Sequence, residues 1–594
     1  MSFTAVHLAG LALVVLSLWG AGDALMRRLW AGARDTPGRD DPWLRMALSA
    51  ATGLGLAIVA LQALGIAGLL RPPATLALLA LGLALALWRL PAQWRLLRAL
   101  PPGPPLGRAE RVATVVAIGA FVISLFEPMA PPHAFDEMMY HLPYARQVAE
   151  SGALGIHDWL RYPWFPYNYD LLYAAALPLA GDVFPHLLHA LGGWLAAALV
   201  WRLAVTHTDR VCAAIALAAW LMMGEFFNAL IDMGVALFVV AAFTVLWLWW
   251  STPASAAGGR RPARWLGLAA FYLGVAAGSK YQALTFLPLV AVCVVWRERR
   301  PGPWLLALAC FLLPCIYWFG RNWAQTGDPF NPIGAKVFGF TNWNADDYKR
   351  QVDDVRLHAS LPNVMLWPAL LVPFSLAWKT RPAVRAAALF GAWSLLVWLA
   401  TSRYPRYMMA SFPLLAWLGA IGWQQLWRWT AAALARRGGE RLQARVSRGL
   451  GAALVAVLAL AGVLRLGKHV QQIAPTPETR EAYLAAHVPG YEVLRWLRAN
   501  PQSGRLYQVG LSDAIYFAPN PVWGDVFGPY RYADFLLLPP PEMARKFVQH
   551  GFGTIVVQTA VGPYVTGVPG FERHFQLMVQ KDGVKAYRIV ADAP

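Results

Sequence analysis

PPHAFDEMMYHLPYARQVAESGALGIHDWLRYPWFPYNYDLLYAAALPLAG occupies residues 131–181. It lies between apolar runs at 112–126 and 183–205, so it reads as a long loop outside the hydrocarbon of a membrane. Asp136 and Glu137 open a stretch, 138–149, in which Met139, Leu142, Tyr144, Ala145 and Val148 recur at helical spacing. That pattern places a short amphipathic helix along the membrane surface, with a carboxylate pair at its start. Acids there have a structural role, capping the helix and complementing its dipole. They also have a chemical one, as acid–base groups. Spacing alone leaves both open.

The rest of the chain supports a membrane setting. Of 594 residues, 58% are apolar and 14% charged, with mean hydropathy +0.43. A soluble chain carries about 25% charged residues. Fourteen apolar runs recur, at 4–21, 46–70, 74–87, 112–126, 183–205, 211–227, 233–250, 265–277, 282–296, 304–319, 364–378, 386–399, 408–426 and 450–464. No Lys or Arg precedes the first run and Arg27 and Arg28 follow it, the reverse of a signal peptide, so it reads as a retained helix.

Loop charges set the sidedness. One group is basic: 27–45, 89–111, 260–264, 297–300, 379–385 and 428–448. The other is mixed or acidic: 128–170, 224–232, 321–363 and 402–407. The two groups alternate, and the positive-inside rule puts the basic one in the cytoplasm. The net charge of +19 follows from those loops, and no nucleic-acid motif accompanies it. The 29 Trp suit membrane interfaces. Cys212, Cys293, Cys310 and Cys315 lie in or beside apolar runs without CxxC spacing, as buried apolar residues do. Parity makes 169–180 an interfacial helix and not a crossing.

After 466 the pattern changes. Residues 491–498 and 541–551 read as helices, and 505–509, 554–558 and 584–590 as strands. The expected fold is therefore an all-α polytopic membrane protein of about 14 transmembrane helices, with a C-terminal periplasmic α/β domain. Its units are N-terminal helices at 1–110, a membrane core at 111–466 with outer loops 129–182 and 321–363, and an outer domain at 467–594.

Several segments carry a family pattern. F-D-E-x-x-Y at 135–140 resembles the start of the first outer loop in the C-type glycosyltransferase superfamily, whose protein O-mannosyltransferases and lipid A aminoarabinose transferases have a comparable Asp-Glu. Residues 162–173 resemble the aromatic, Pro-rich end of that loop, and 228–232 a short acidic outer turn. GVAAGSKYQ (274–282), RNWAQTGDPFNP (321–332) and SRYPRYMMASFP (402–413) resemble further family stretches. The resemblance covers 135–413; the first three helices stand outside it.

The resemblance implies a multi-pass enzyme of the bacterial inner membrane. It would move a sugar from a polyprenyl-phosphate carrier to a periplasmic glycan, lipid or protein. It also implies Asp136 as general base, with Glu137 orienting it or binding the acceptor. Tyr140, His141 and Asp232 would line the substrate cavity, and Lys280, Arg321, Arg403 and Arg406 would supply cations for the carrier phosphate. Such a donor already has a good leaving group, so base and cations suffice. The structural alternative for the cations is snorkelling to headgroups; for Asp232 it is helix capping. His186 and His189 read as packed histidines. His133, His141 and His157 with Asp136 and Glu137 match no standard zinc spacing, so no cofactor is expected, while the resemblance, to a family in which some enzymes need a divalent ion, leaves a metal open. Two other readings remain. One is a transporter or flippase using Asp136, Asp232 and Lys280 as coupling groups. The other is a polymerase or ligase of lipid-linked glycans. No inverted repeat favours the transporter.

Overall fold

A computed structural model describes residues 3–31, 38, 40–101, 103–253, 262–519 and 521–591. Parts of two basic loops (32–37 and 39; 254–261 with Arg260 and Arg261) and residues 592–594 lie outside them.

Each of the fourteen apolar runs falls mainly on helical backbone. Among the described residues eight helices are long and apolar enough to cross a membrane, or nine if one bent pair counts as a span. The chain is a multi-pass membrane protein with a small C-terminal sheet domain. The last two runs share one helix, Phe412–Gln472, broken at Gly438 and Gly439. Gly439 has φ 69°, a left-handed conformation that glycine adopts without Cβ strain, and this divides the helix into two arms. Helix Asp170–Ala180 has 11 residues, or about 16 Å at 1.5 Å per residue, too short for a hydrocarbon core of about 30 Å.

One run departs from the expected single helix. Pro301–Leu312 and Ile316–Thr326 meet at 73°. Pro314 lies in the break, and its carbonyl accepts from the side chains of Gln62 (3.2 Å) and Asn168 (2.8 Å). Asn168 Oδ1 in turn accepts from Gln62 Nε2 (3.0 Å) and Trp318 Nε1 (2.7 Å). The Asn168 N–H donates to the carbonyl of Gly278 (2.9 Å), where a Cβ would meet the Asn168 side chain at 2.2 Å. A buried amide thus ties the end of the first outer loop to three membrane helices, with the Pro314 carbonyl at the break paired.

The first outer loop holds the predicted surface helix, in two parts. Glu137–His141 is π-helical and Leu142–Ser151 is α-helical. Met139, Leu142, Tyr144, Ala145 and Val148 are all buried, as their spacing requires.

The C-terminal domain has a five-stranded sheet: β1 Arg505–Val509, β2 Val522–Trp523, β3 Phe552–Gln558, β4 Phe575–Lys581 and β5 Val584–Ile589. Their order is β2-β1-β3-β5-β4. β1 runs parallel to β2 and β3, and β5 antiparallel to β3 and β4. Alternate residues separate the faces. Tyr507, Ile555, Val557 and Tyr587 pack with Met543 and Phe547 of helix Pro540–Gln549. Leu506, Val556, Val584 and Ala586 pack with Val493, Leu494 and Leu497, in a core continuous with the membrane helices. The domain is therefore seated on the membrane part through one face.

Candidate active site

Asp136 stands at the N-terminal end of the π-helical turn but makes no capping hydrogen bond. Its Oδ2 instead accepts from Arg406 Nη2 at 2.5 Å, each side chain 19% exposed. Arg406 belongs to the 3-10 turn Pro405–Ser411, packed against helix Asp232–Ser251. Asp232, first residue of that helix, accepts from Lys280 Nζ at 2.6 Å. Lys280 follows helix Ala263–Ala277, held by its own N–H on the Ala276 carbonyl, and its ammonium lies 5.3 Å from the Tyr407 ring centre. Arg406 also acts electrostatically on Asp232. Two carboxylates and two cations from four separate segments thus form one chain of charges.

Glu137 does something different. Its side chain is fully buried and both oxygens are engaged. Oε1 accepts the backbone N–H of His133 (2.6 Å) and Ala134 (2.7 Å). Oε2 accepts His186 Nε2 (2.9 Å) and the N–H of Ala229 (2.7 Å). Burial alone would raise its pKa, but His186 and the N–H groups of Ala134 and Ala229 outweigh that and hold the carboxyl below its ordinary value. Glu137 therefore clamps the first outer loop to helix Phe184–His207 and to the second outer turn. Each of its oxygens accepts two hydrogen bonds, none of them involving Asp136. The clamp also accounts for His186 as a structural partner.

The remaining predicted residues divide. Tyr140 is buried, 4.9 Å from Tyr162 ring to ring, and feels the charges of Asp136 and Arg406. His141 is buried and donates Nδ1–H to Asp170 (2.6 Å), a second carboxylate behind the π-helical turn. Arg321 lies elsewhere. It donates to Asn322 Oδ1 and lies 5.0 Å from the Trp318 ring centre and 5.7 Å from that of Trp164, and among the described residues no carboxylate pairs with it. Arg403 is exposed, in the left-handed region at φ 52°, and its side chain donates Nε–H to the Leu399 carbonyl (3.2 Å). The structure does not bring Arg321 or Arg403 into the charge chain.

Two groups not singled out from the sequence join the site. Glu225, in the turn before Asp232, has its pKa raised by burial and by the charge of Asp232, against the pull of Arg406 and Lys280. Arg161 donates Nε–H to both oxygens of Asp525 (3.0 and 3.1 Å) in the C-terminal domain, and lies 5.9 Å from the Phe135 ring beside Asp136. The excess of acids in 224–232 was the signal for Glu225. Arg161 carried none, because its partner is 364 residues away. Among the described residues no three His, Cys, Asp or Glu side chains are grouped to hold a metal ion.

Comparisons with known proteins bear on the fold. The family model described as SF2091/S2213 matches residues 479–588, the C-terminal domain. Two Shigella flexneri proteins match short stretches. Uncharacterized protein SF2093/S2215 is 46% identical over 63 residues, 11% of this chain and 31% of that protein. Uncharacterized protein SF2092/S2214 is 30% identical over 69 residues, 12% of this chain and 38% of that protein. The chain thus spans about a third of the length of these relatives. Among solved structures, ArnT from Cupriavidus metallidurans, bound to undecaprenyl phosphate, is similar with a TM-score of 0.50 and 14% identity, over 82% of this chain and 99% of that one. The chain shares the C-type glycosyltransferase fold with it.

Proposed function

We propose that this chain, built on the C-type glycosyltransferase fold, is a glycosyltransferase that moves a sugar from a polyprenyl-phosphate carrier to an acceptor on the periplasmic side of the bacterial inner membrane. The observation that carries the reading is the pair of linked ion pairs, Asp136–Arg406 and Lys280–Asp232. The ArnT structure of the same fold, bound to undecaprenyl phosphate, supports a lipid-phosphate carrier.

The chemistry needs few parts. The acceptor hydroxyl gives its proton to Asp136 as its oxygen attacks the anomeric carbon. The bond from that carbon to the phosphate oxygen breaks, and the phosphate leaves with one more negative charge. Arg406 and Lys280 are the cations for that charge, worth more as the bond breaks than before it. Both begin paired with carboxylates, so donor phosphate competes with Asp136 for Arg406. Donor binding thereby uncovers the base that the transfer needs. A direct displacement of this kind uses one carboxylate, unlike the paired carboxylates of glycoside hydrolysis. It calls on no metal. Residues 111–466 are the catalytic unit in this reading, Arg321 and Arg403 supporting the wider donor groove.

The test is an assay of purified protein in detergent, with mixed polyprenyl-phosphate sugars and a cell-envelope extract as acceptor. Release of free polyprenyl phosphate supports the enzyme. No release with any donor, together with substrate movement across proteoliposomes, would support a transporter instead.

A further inference from the structure

Away from the charge chain, the surface helix Leu142–Ser151, the end of helix Asp170–Ala180 and the C-terminal domain border an open hollow of about 480 Å³. Arg146, Arg480 and Tyr516 line it, with Leu177 and Pro178 as an apolar wall. Both arginines are incompletely used. Arg146 Nη1 donates to the carbonyls of Tyr516 (2.7 Å) and Ala518 (3.0 Å), while its Nε–H is buried with no hydrogen-bond acceptor. Its nearest carboxylate, Glu150, stands 3.6 Å off and is 61% exposed. Arg480 Nη2 donates to Asp182 (2.6 Å), while its Nη1 is buried with no acceptor. Behind them Arg498 donates to the Phe517 carbonyl (2.5 Å). The two arginines that line the hollow therefore face one tightly paired carboxylate and one loosely held, and each keeps a buried N–H without an acceptor. Buried donors on a cation call for an anionic acceptor.

The position says what carries that anion. Asp182 lies two residues before helix Phe184–His207, long and apolar enough to span the membrane, so the hollow sits at headgroup level. The apolar wall runs on to Leu179, exposed on the outside. We propose that this hollow is a binding site for the phosphate headgroup of an anionic membrane lipid, with the phosphate between Arg146 and Arg480 and the chain along Leu177 and Pro178. Seated there, the lipid joins the C-terminal domain to the membrane part. The proposal does not rest on the transferase reading.

The experiment uses the full chain reconstituted in phosphatidylcholine vesicles with and without phosphatidylglycerol, then extracted in neutral detergent, with retained lipid measured by mass spectrometry. The wild type should retain phosphatidylglycerol over phosphatidylcholine. Arg480→Gln should lower that retention about tenfold or more, from the loss of one charged donor. Because Arg480→Gln also loosens the bond to Asp182, Leu177→Trp gives a second readout. It fills the hollow and leaves both arginines in place, and it should lose the lipid equally. Equal retention in all three proteins, or no preference in the wild type, overturns the site. Water-soluble glycerol phosphate binding as tightly as the lipid would assign the site to a free anion and overturn the lipid.

Discussion

Arg406 Nη2 lies 2.5 Å from Asp136 Oδ2, across 270 residues of chain. The cation suited to a leaving phosphate is thus the counterion of the group suited to be the base. In the proposed reaction each would be released by the arriving donor phosphate. Lys280 and Asp232 repeat the arrangement one step deeper.

Lys280→Ala should lower turnover more than it weakens donor binding. Losing one positioned donor to a developing negative charge costs about 3–4 kcal/mol in the transition state. Single-turnover rates with a polyprenyl-phosphate sugar, set beside donor affinity, separate the two. A loss confined to affinity would make Lys280 a ground-state contact.

Glu137→Ala should destabilise the protein strongly. It strands His186 and the N–H groups of His133, Ala134 and Ala229 in a buried site, at a cost of about 3–5 kcal/mol. Glu137→Gln should cost less, but not nothing, because its NH₂ must face donors on one side. Thermal unfolding in detergent checks the order. An Ala variant as stable as the wild type would remove the clamp from the account.

Stability should fall as pH drops from about 6.5 to about 4. Burial, then the charge of Arg321, lower the His157 pKa from 6.5 to about 4. In that window the unfolded chain binds the proton and the folded one does not, so stability rises with pH. The contribution is fully present above 6.5 and lost as pH falls through the window. His157→Gln should flatten this part of the profile relative to the wild type. Parallel profiles would show that His157 does not titrate this way.

Sidedness is open to a labelling test. With the native cysteines replaced, Ser151→Cys and Ser503→Cys should react with an impermeant maleimide from outside, and Ala444→Cys should not. Equal labelling at all three would contradict the charge-based topology.

Much of this was legible in the sequence because it rests on local pattern. The apolar runs and the surface helix come from hydropathy and helical spacing, and motif order singled out Asp136, Lys280 and Arg406, which the fold brings together. The roles within the acid pair were not legible. Adjacent residues on a helix point about 100° apart, and nothing local says which turns inward. Glu137 turns in to the clamp and Asp136 out to Arg406. Nor could motif order show that Arg321 lies beside Trp164 and Trp318, or that Arg403 turns out to the surface. The break at Pro314 needed partners, Gln62 and Asn168, drawn from distant segments. Strand β4 was missed because as an edge strand it leaves most side chains exposed and carries little apolar alternation.

The most direct test of the central claim is the rate of polyprenyl-phosphate release by Asp136→Asn beside the wild type, in the same detergent assay. The substitution is nearly isosteric and removes the proton acceptor. Release should fall by about 10²–10⁴-fold while donor binding is kept. A folded Asp136→Asn protein that releases the carrier at a near-normal rate would contradict the assignment of the base, and with it the account of the site.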